Sequence, residues 1–357
     1  MYSYDYLFDF TKHVFMKMGC SEKDSNIIAE IFMAAEIRGH ASHGMIRIKD
    51  YYGMWKAGRI NIKANIRVVH ESPSTAVVDG DNAVGMIAAS RSMEIAIDKA
   101  RTAGTGWVAT RHSNHFGIAG YYSMMALKHD MIGICLTNAN PLVAPTFSIS
   151  RMLGTNPIAV AIPALNQPPF VADFATTPIA RGKLAVAEKK GQKKIEFGFV
   201  QDKTGKPSDD PTILKSGGSM LTLGGDRLHG SHKGYCLSSI VDIFSSIFSG
   251  ANFGPFVPPS VAYLPVLEKK VGLGTGHFFG AMRIDAFQPA DEFKAKMDEW
   301  IESFRSAEPA EGEDRVLIPG DPEREAEERI MKDGIELVPA IVNDLCEVAK
   351  ALEITFN

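Results

Sequence analysis

The sequence predicts an α+β protein in which helices at both ends frame a strand-rich middle. Three observations carry that expectation. Apolar positions recur at helical spacing near both termini. Short apolar runs of strand length, each closed by a polar turn, fill the middle. The GxGxxG turn of the parallel doubly-wound fold is missing from its required context. Gly104-Thr-Gly106-Trp-Val-Ala109 spells GxGxxA, but it follows a helix and precedes a strand, the reverse of the necessary order. The division expected is a helical lobe from residues 1–65 and 290–357, and an α+β lobe over 66–289.

The elements follow in order from local signals. Residues 4–18 read as a helix stopped by Gly19. A second helix starts at Ser21, with Asp24 completing a capping box, and ends near Arg38 before Gly39. Its positions Ile27, Ile28, Ile31, Phe32 and Ala35 share a face. A third helix is expected over 45–57, stopped by Gly58. Runs 66–70 and 75–79 flank a Ser-Pro-Ser turn and read as a hairpin. A helix over 84–103 leads to a strand over 106–110, then to a turn and a helix over 121–128. Further strands are expected at 131–136, 158–162, 170–174, 197–200 and 277–286. Helices are expected at 180–190, 235–249, 290–306, 322–332 and 339–352, with a short strand and turn over 315–321.

The bulk numbers bound the function. The 357 residues suffice for two lobes and a large core. A hydrophobic share of 45% with 22% charged residues is ordinary for a globular chain. The net charge of −4 gives no electrostatic case for nucleic acid or an anionic membrane surface. Cys20, Cys135, Cys236 and Cys346 are scattered without a CxxC, and Cys135 and Cys236 lie in apolar runs. A reduced, cytoplasmic protein with buried thiols is expected. Asp5 and Asp9 without a basic start argue against a secretory signal, and no apolar run is long enough to span a bilayer.

Two histidine-bearing turns organise the candidate chemistry. His112 and His115 lie between the strand over 106–110 and the helix that follows, and His40 and His43 lie in Gly39-His-Ala-Ser-His-Gly44. Histidine is the side chain best matched to moving a proton near neutral pH. Arg47 falls one helical turn after His43. A histidine beside an arginine suits a hydroxy acid: one handles the hydroxyl proton and the other grips the carboxylate. The competing roles are ordinary ones: Ser42 as the N-cap of the third helix, Arg47 on a solvated face, and His112 and His115 as satisfiers of backbone groups. At the helix start His43 is expected to be neutral.

Two more turns read as anion sites. Residues 175–183 close a strand and open a helix, with Thr176, Thr177, Arg181 and Lys183 near free backbone N–H groups that suit a pyrophosphate. Capping by Thr176 or Thr177 is the alternative. The glycine-rich turn 224–234 places Lys233 at a helix head, though its spacing is not that of a P-loop. Thr137-Asn138-Ala-Asn-Pro141 is a polar turn suited to hydrogen bonding a ligand. Asp173, ending a strand among apolar residues, reads as a buried acid that orients a histidine.

Ser42-His43-Gly44 with Arg47, Asn114-His115-Phe116-Gly117, Asp173-Phe-Ala-Thr-Thr177, Ala180-Arg-Gly-Lys183, His232-Lys-Gly-Tyr235 and Pro319-Gly-Asp321 together resemble the type-2 malate/L-lactate dehydrogenase family. The resemblance covers nearly the whole chain. That family includes ureidoglycolate, sulfolactate and diketogulonate dehydrogenases and a ketimine reductase. Ser231 departs from the glycine that members usually carry before the His-Lys pair.

The resemblance implies a non-Rossmann fold: a mixed, largely antiparallel NAD(P)-binding sheet flanked by helices. It implies hydride transfer between NAD (NADP possible) and a small 2-hydroxy or 2-keto acid, malate first and lactate next. His43 and His115 would line the pocket, with Asp173 or Ser42 orienting one of them. Arg47 would hold the carboxylate, with Tyr51 nearby. Cofactor contacts carry over to Phe174, Ala175, Thr176, Thr177, His232, Lys233, Pro319, Gly320 and Asp321, and to Asn138. A homodimer with the site near its interface is implied. Reduction of a cyclic imino acid stays open as an alternative. A metal hydrolase is a third reading, because three His-x-x-His pairs occur: His40/His43, His112/His115 and His229/His232. All three fall in glycine-rich turns without HExxH or an acidic cluster, so no metal is assigned.

Overall fold

The computed structural model describes residues 1–189 and 191–357. Its N-terminal helices form as their caps and periodicity dictate. Helix α1 (Tyr4–Met18) buries Leu7, Phe10, Val14, Phe15 and Met18 and ends at Gly19 with φ 108°. Helix α2 (Glu22–Ile37) starts at Ser21, whose Oγ accepts from the Asp24 N–H at 3.1 Å. The third helix is shorter than expected. Two 3-10 turns, Ala41–His43 and Met45–Arg47, precede α3 (Ile48–Lys56). Gly44 leaves helical space (φ −92°, ψ −138°), and the Met45 N–H donates to the Glu36 carboxylate at 2.5 Å instead of into a helix.

The middle of the chain builds one sheet. Strands β1 (Arg67–Glu71) and β2 (Thr75–Asp79) form the expected hairpin. Helix α4 (Gly85–Ala103) crosses over to β3 (Thr105–Ser113), and helix α5 (Ala119–Met125) leads to β4 (Met131–Thr137), β5 (Ile158–Ile162) and β6 (Phe170–Phe174). Helix α6 (Arg181–Lys189) follows, and its expected last residue, Lys190, lies outside the described residues. Short strands β7 (Val200–Gln201), β8 (Pro207–Ser208) and β9 (Ser219–Met220) make a small second sheet. Then come α7 (Ser231–Asp242), β10 (Thr275–Arg283), α8 (Ala290–Arg305), α9 (Asp321–Asp333) and α10 (Pro339–Leu352).

The seven main strands lie in the order β1-β2-β3-β10-β4-β5-β6. Only β2 and β3 run parallel, across the α4 crossover, and every other pair is antiparallel. The late strand β10 inserts between β3 and β4, so the last strand in sequence holds the centre. The expected mixed, largely antiparallel sheet is therefore the fold of this chain.

Local differences have local causes. β3 runs on to Ser113, because His112 accepts positive φ (53°) and its N–H reaches the Leu273 carbonyl at 2.8 Å. α7 begins at Ser231 rather than Tyr235, which puts His232 and Lys233 in its first turn, and it continues into a π turn over Ile243–Ile247. No strand forms over 315–321. The Asp321 carboxylate takes the Ile318 N–H at 2.8 Å and closes a tight turn before α9.

One core joins the terminal helices to the sheet. Leu7, Phe15, Phe32, Ile48 and Leu345 share it with Val78, Val108, Cys135 and Phe279. α9 and α10 return to α1, α2 and α3, whereas α8 docks on the β5–β6 connection, where Asp298 accepts from the Leu165, Asn166 and Gln167 N–H groups. All four cysteines are free: Cys20 and Cys135 are buried, and Cys236 and Cys346 are exposed. Cys236 corrects the expectation of a buried thiol, since its apolar run is an amphipathic helix showing that face to solvent. Among the described residues no helix is long and apolar enough to cross a membrane.

α4 rests directly on β3 at Gly106, where a Cβ would lie 1.9 Å from the Ala96 carbonyl oxygen. Backbone cannot yield as a flexible side chain does. Gly106→Ala is expected to lower the unfolding free energy by about 2–3 kcal/mol, read from the shift of the urea denaturation midpoint.

Candidate active site

The two histidine turns converge. His43, in the first 3-10 turn after α2, stacks on His115, which leaves the end of β3; their ring centroids are 5.5 Å apart and the planes 14° off parallel. Ser42 Oγ lies 2.9 Å from His43 Nδ1. Ser42 is therefore the partner of a histidine and not a helix cap. Tyr51, buried on α3 between Phe15 and Phe32, brings its hydroxyl to 2.8 Å from His115 Nδ1 and 2.7 Å from the His115 carbonyl.

One phenol proton cannot serve both acceptors. The arrangement that satisfies both short contacts has Nδ1–H donating to the tyrosine oxygen and the tyrosine O–H donating to the carbonyl. The competing Gly117 N–H contact to Nδ1 is longer, at 3.4 Å. His115 Nε2 is then left unprotonated, as an acceptor.

Both rings are held neutral. Burial first, then the Arg47 charge and His40, push His43 down from its ordinary 6.5 to about 4. Burial, Arg47 and His43 likewise hold His115 well below the ordinary range. The cause is desolvation beside a cation, not the helix end expected for His43. Arg47 Nη1 pairs with Asp50 at 2.8 Å and Nη2 donates to Ser260 Oγ at 3.2 Å. Its Nε is buried and has no partner among the described residues. Behind His115, the buried His277 bridges Thr137 and Ser113, each at 2.7 Å, and stacks on Phe116 at 4.6 Å.

Two expectations need correcting, those for Asp173 and Tyr51. Asp173 hydrogen-bonds neither His43 nor His115: its Oδ2 accepts the Gly120 N–H at the head of α5 at 2.7 Å, and the charges it faces are His40, Glu323 and Arg38. Burial raises its pKa. Tyr51 is spent on His115 and offers no free hydroxyl to a substrate. The His-x-x-His pairs diverge: His40 faces Glu323 at 3.8 Å, His112 takes Asp79 at 3.1 Å, and His229 takes Asp226 at 2.7 Å. Among the described residues, no three His, Cys, Asp or Glu side chains are grouped to hold a metal.

The segments expected to carry a cofactor gather around the end of β6. Gly182, at the start of α6, packs on Ser42 so closely that a Cβ would sit 2.7 Å from the serine Cβ. The Thr176 carbonyl accepts the Leu223 N–H at 2.9 Å, which brings in the glycine loop before α7, and the Val171 N–H donates to the Pro319 carbonyl at 3.0 Å. Lys183 and Lys233 stand exposed, and Phe174 is 41% exposed, at the rim. Ala175 is half-buried.

Other members of that set are internal struts. Thr176 Oγ1 shares its one proton between the Thr155 and Asn156 carbonyls, 3.1 and 3.0 Å away, and Thr177 Oγ1 donates to the Ile179 carbonyl, so neither caps α6. The Asn138 amide is used up by Asp242, Asn252 and Gly276. Asp321 is taken by Ile318, Arg305 and Arg324, while Gly320 takes φ 101° against Val171. His232 meets Arg227 at 2.9 Å, and Arg181 meets the Tyr263 hydroxyl at 3.2 Å.

Sequence reasoning missed Ser260 and Tyr263, between the helix expected over 235–249 and the strand expected over 277–286, and Glu36 and His277. Only the isolated carboxyl of Glu36 inside an apolar helix face offered a signal. The lysines and the first turn of α7 form a donor set that suits a polyphosphate, and Phe174 and Ala175 offer an apolar rim for a ring.

Comparison with known proteins identifies the family. The family model described as malate/L-lactate dehydrogenase matches residues 2–346. A malate dehydrogenase of Pyrococcus horikoshii is 40% identical over 347 residues, 97% of this chain and 94% of that protein. An L-sulfolactate dehydrogenase of Methanocaldococcus jannaschii is 41% identical, over 95% of this chain and 93% of its own. The solved Pyrococcus horikoshii malate dehydrogenase superposes with a TM-score of 0.90 over 100% of this chain and 96% of that one. A delta1-piperideine-2-carboxylate reductase from Pseudomonas syringae, 27% identical, reaches 0.81, covering 98% of this chain and 99% of its own. With a whole-chain family match and relatives at this identity, the chain belongs to the malate/L-lactate dehydrogenase family.

Proposed function

We propose that the protein is an NAD-dependent 2-hydroxy acid dehydrogenase acting on malate and oxaloacetate, with lactate-type acids next. One observation carries this: a largely buried guanidinium whose Nε–H is enclosed and unpartnered among the described residues, beside two stacked neutral imidazoles. Nη1 of Arg47 is committed to Asp50, so the Nε/Nη2 edge faces the substrate carboxylate, which replaces or joins Ser260. A small 2-hydroxy acid held there puts its hydroxyl against the imidazoles. His115, its Nδ1 proton held by Tyr51, takes the hydroxyl proton on Nε2, and His43 with Ser42 flanks it. In reduction the same nitrogen, protonated, returns the proton.

The nicotinamide ring, when bound, supplies the hydride acceptor or donor. We assign it to the rim formed by Phe174 and Ala175, with Lys183, Lys233 and the first turn of α7 on the phosphates, and Pro319 and Gly320 closing the far side. The expected division of 1–65 with 290–357 against 66–289 is then modified: residues 1–65 with α9 and α10 form the substrate-side lobe, while α8 and the Pro319 turn sit with residues 66–289 in the cofactor lobe. A cytoplasmic location fits the four free thiols. Reduction of a cyclic imine would use the same proton donor, and the likeness to a piperideine-carboxylate reductase keeps that reading in view.

We also propose a homodimer. Ile240, Ile243, Ile247 and Phe248 are 47–60% exposed along one face of α7 and its π turn. They adjoin a groove of about 520 Å³ lined by Trp107, Phe244, Phe248 and Phe278. Sedimentation should give a dimer that Ile247→Glu shifts toward monomer; a monomeric wild type would end this reading.

Steady-state assays with reduced nicotinamide and oxaloacetate, pyruvate, sulfopyruvate or a cyclic imine test the reaction. His115→Ala should lose about 100- to 10,000-fold in kcat with the preferred keto acid. Arg47→Lys should raise its KM by about tenfold or more. Turnover with the imine alone would move the protein to C=N reduction.

The pH dependence has a definite sign. His115, held well below the ordinary histidine range by burial and the Arg47 charge, is already a competent base at neutrality. Oxidation should therefore stay level in kcat/KM through the ordinary histidine value and fall only well below it, whereas reduction should gain about tenfold per unit of acidification above the lowered value. An inflection at the ordinary histidine value in the free-enzyme profile would contradict the assignment.

A further inference from the structure

Glu36 lies outside the machinery just described, yet the substrate turn is built on it. It sits in the last turn of α2 and is 5% exposed. No ion pair to it occurs among the described residues. Its Oε1 accepts the Met45 N–H at 2.5 Å. The side chain then runs under Gly44: a Cβ there would fall 2.2 Å from Oε1, 2.5 Å from Cδ and 2.7 Å from Cγ. Gly44 separates the 3-10 turn that carries Ser42 and His43 from the one that carries Arg47.

We propose that Glu36 is a positioning residue, whose carboxyl oxygen anchors the Met45 amide and so fixes His43 and Arg47 relative to each other. The inference rests on the hydroxy acid reading above. The anchor is mechanical and needs no charge. Arg47 and His40 are the charged neighbours that act on His43, and Glu36 is not among them. Burial pushes the Glu36 carboxyl up to about 7, yet a protonated acid retains a carbonyl oxygen that accepts the same N–H. A glutamine oxygen would do the same. A methionine of similar length would not, and the buried Met45 N–H would lose its partner.

The test compares wild type, Glu36→Gln, Glu36→Met and Gly44→Ala in the keto acid assay, with reduced-cofactor binding followed by fluorescence. Glu36→Met should lose about a hundredfold in kcat/KM, through a raised keto acid KM as well as kcat, while cofactor affinity stays within about twofold, because those contacts come from β6, α6 and α7. Glu36→Gln should recover most of that loss. Gly44→Ala, which lifts the turn off an intact Glu36, should reproduce the methionine pattern and serves if Glu36→Met fails to fold. An active wild type with Glu36→Met, or Gly44→Ala in its place, unchanged in KM and kcat would overturn the proposal alone. A glutamine variant as impaired as the methionine one would also overturn it, by making the charge the working part. A wild type inert toward every keto acid but still binding reduced cofactor would remove the hydroxy acid reading, and this inference with it.

Discussion

The largely enclosed charge of Arg47, set against two stacked imidazoles, is the constraint on which the site depends. A cation and two titratable rings packed together hold a single state comfortably: arginine charged, both histidines neutral. The surroundings preserve that state. Asp50 balances part of the guanidinium charge, Ser42 meets one ring, and Tyr51 meets the other. A neutral histidine next to a carboxylate-binding cation is what abstraction of a proton from a hydroxy acid requires.

The scaffold achieves this without the parallel nucleotide-binding fold. The central pair of the sheet is β3 with β10, elements from the two halves of the α+β region. That pairing fixes where β3 ends, and hence where His115 emerges. His277 on β10 locks the exit through Ser113 and Thr137, so the turn after β3 is supported from behind as well as from the side. On the same face, α1, α2 and α10 share the sheet's own core, so the turn after α2 is carried rigidly toward the same point. In the proposed reading the phosphate-binding donors come from the starts of α6 and α7, far along the chain, in place of a glycine-rich first turn.

The sequence alone settled the terminal helices, the hairpin, the five further strands of the main sheet and the turns that bear His43 and His115. Each depends on neighbours within a few residues: Ser21 capping α2, Gly19 ending α1, strand-length apolar runs bounded by polar turns. Only the tertiary structure decided how these pieces meet. It stacked His43 on His115, turned Tyr51 from a substrate contact into the holder of a tautomer, and sent Asp173 to the head of α5. It brought Ser260, from the stretch between α7 and β10, onto Arg47, and set Glu36 beneath Gly44. The physical reason is that hydrogen-bond partners of buried groups are chosen by packing across the fold. Strand order, with β10 inserted between β3 and β4, brings together residues whose local sequence carries no mark of the encounter.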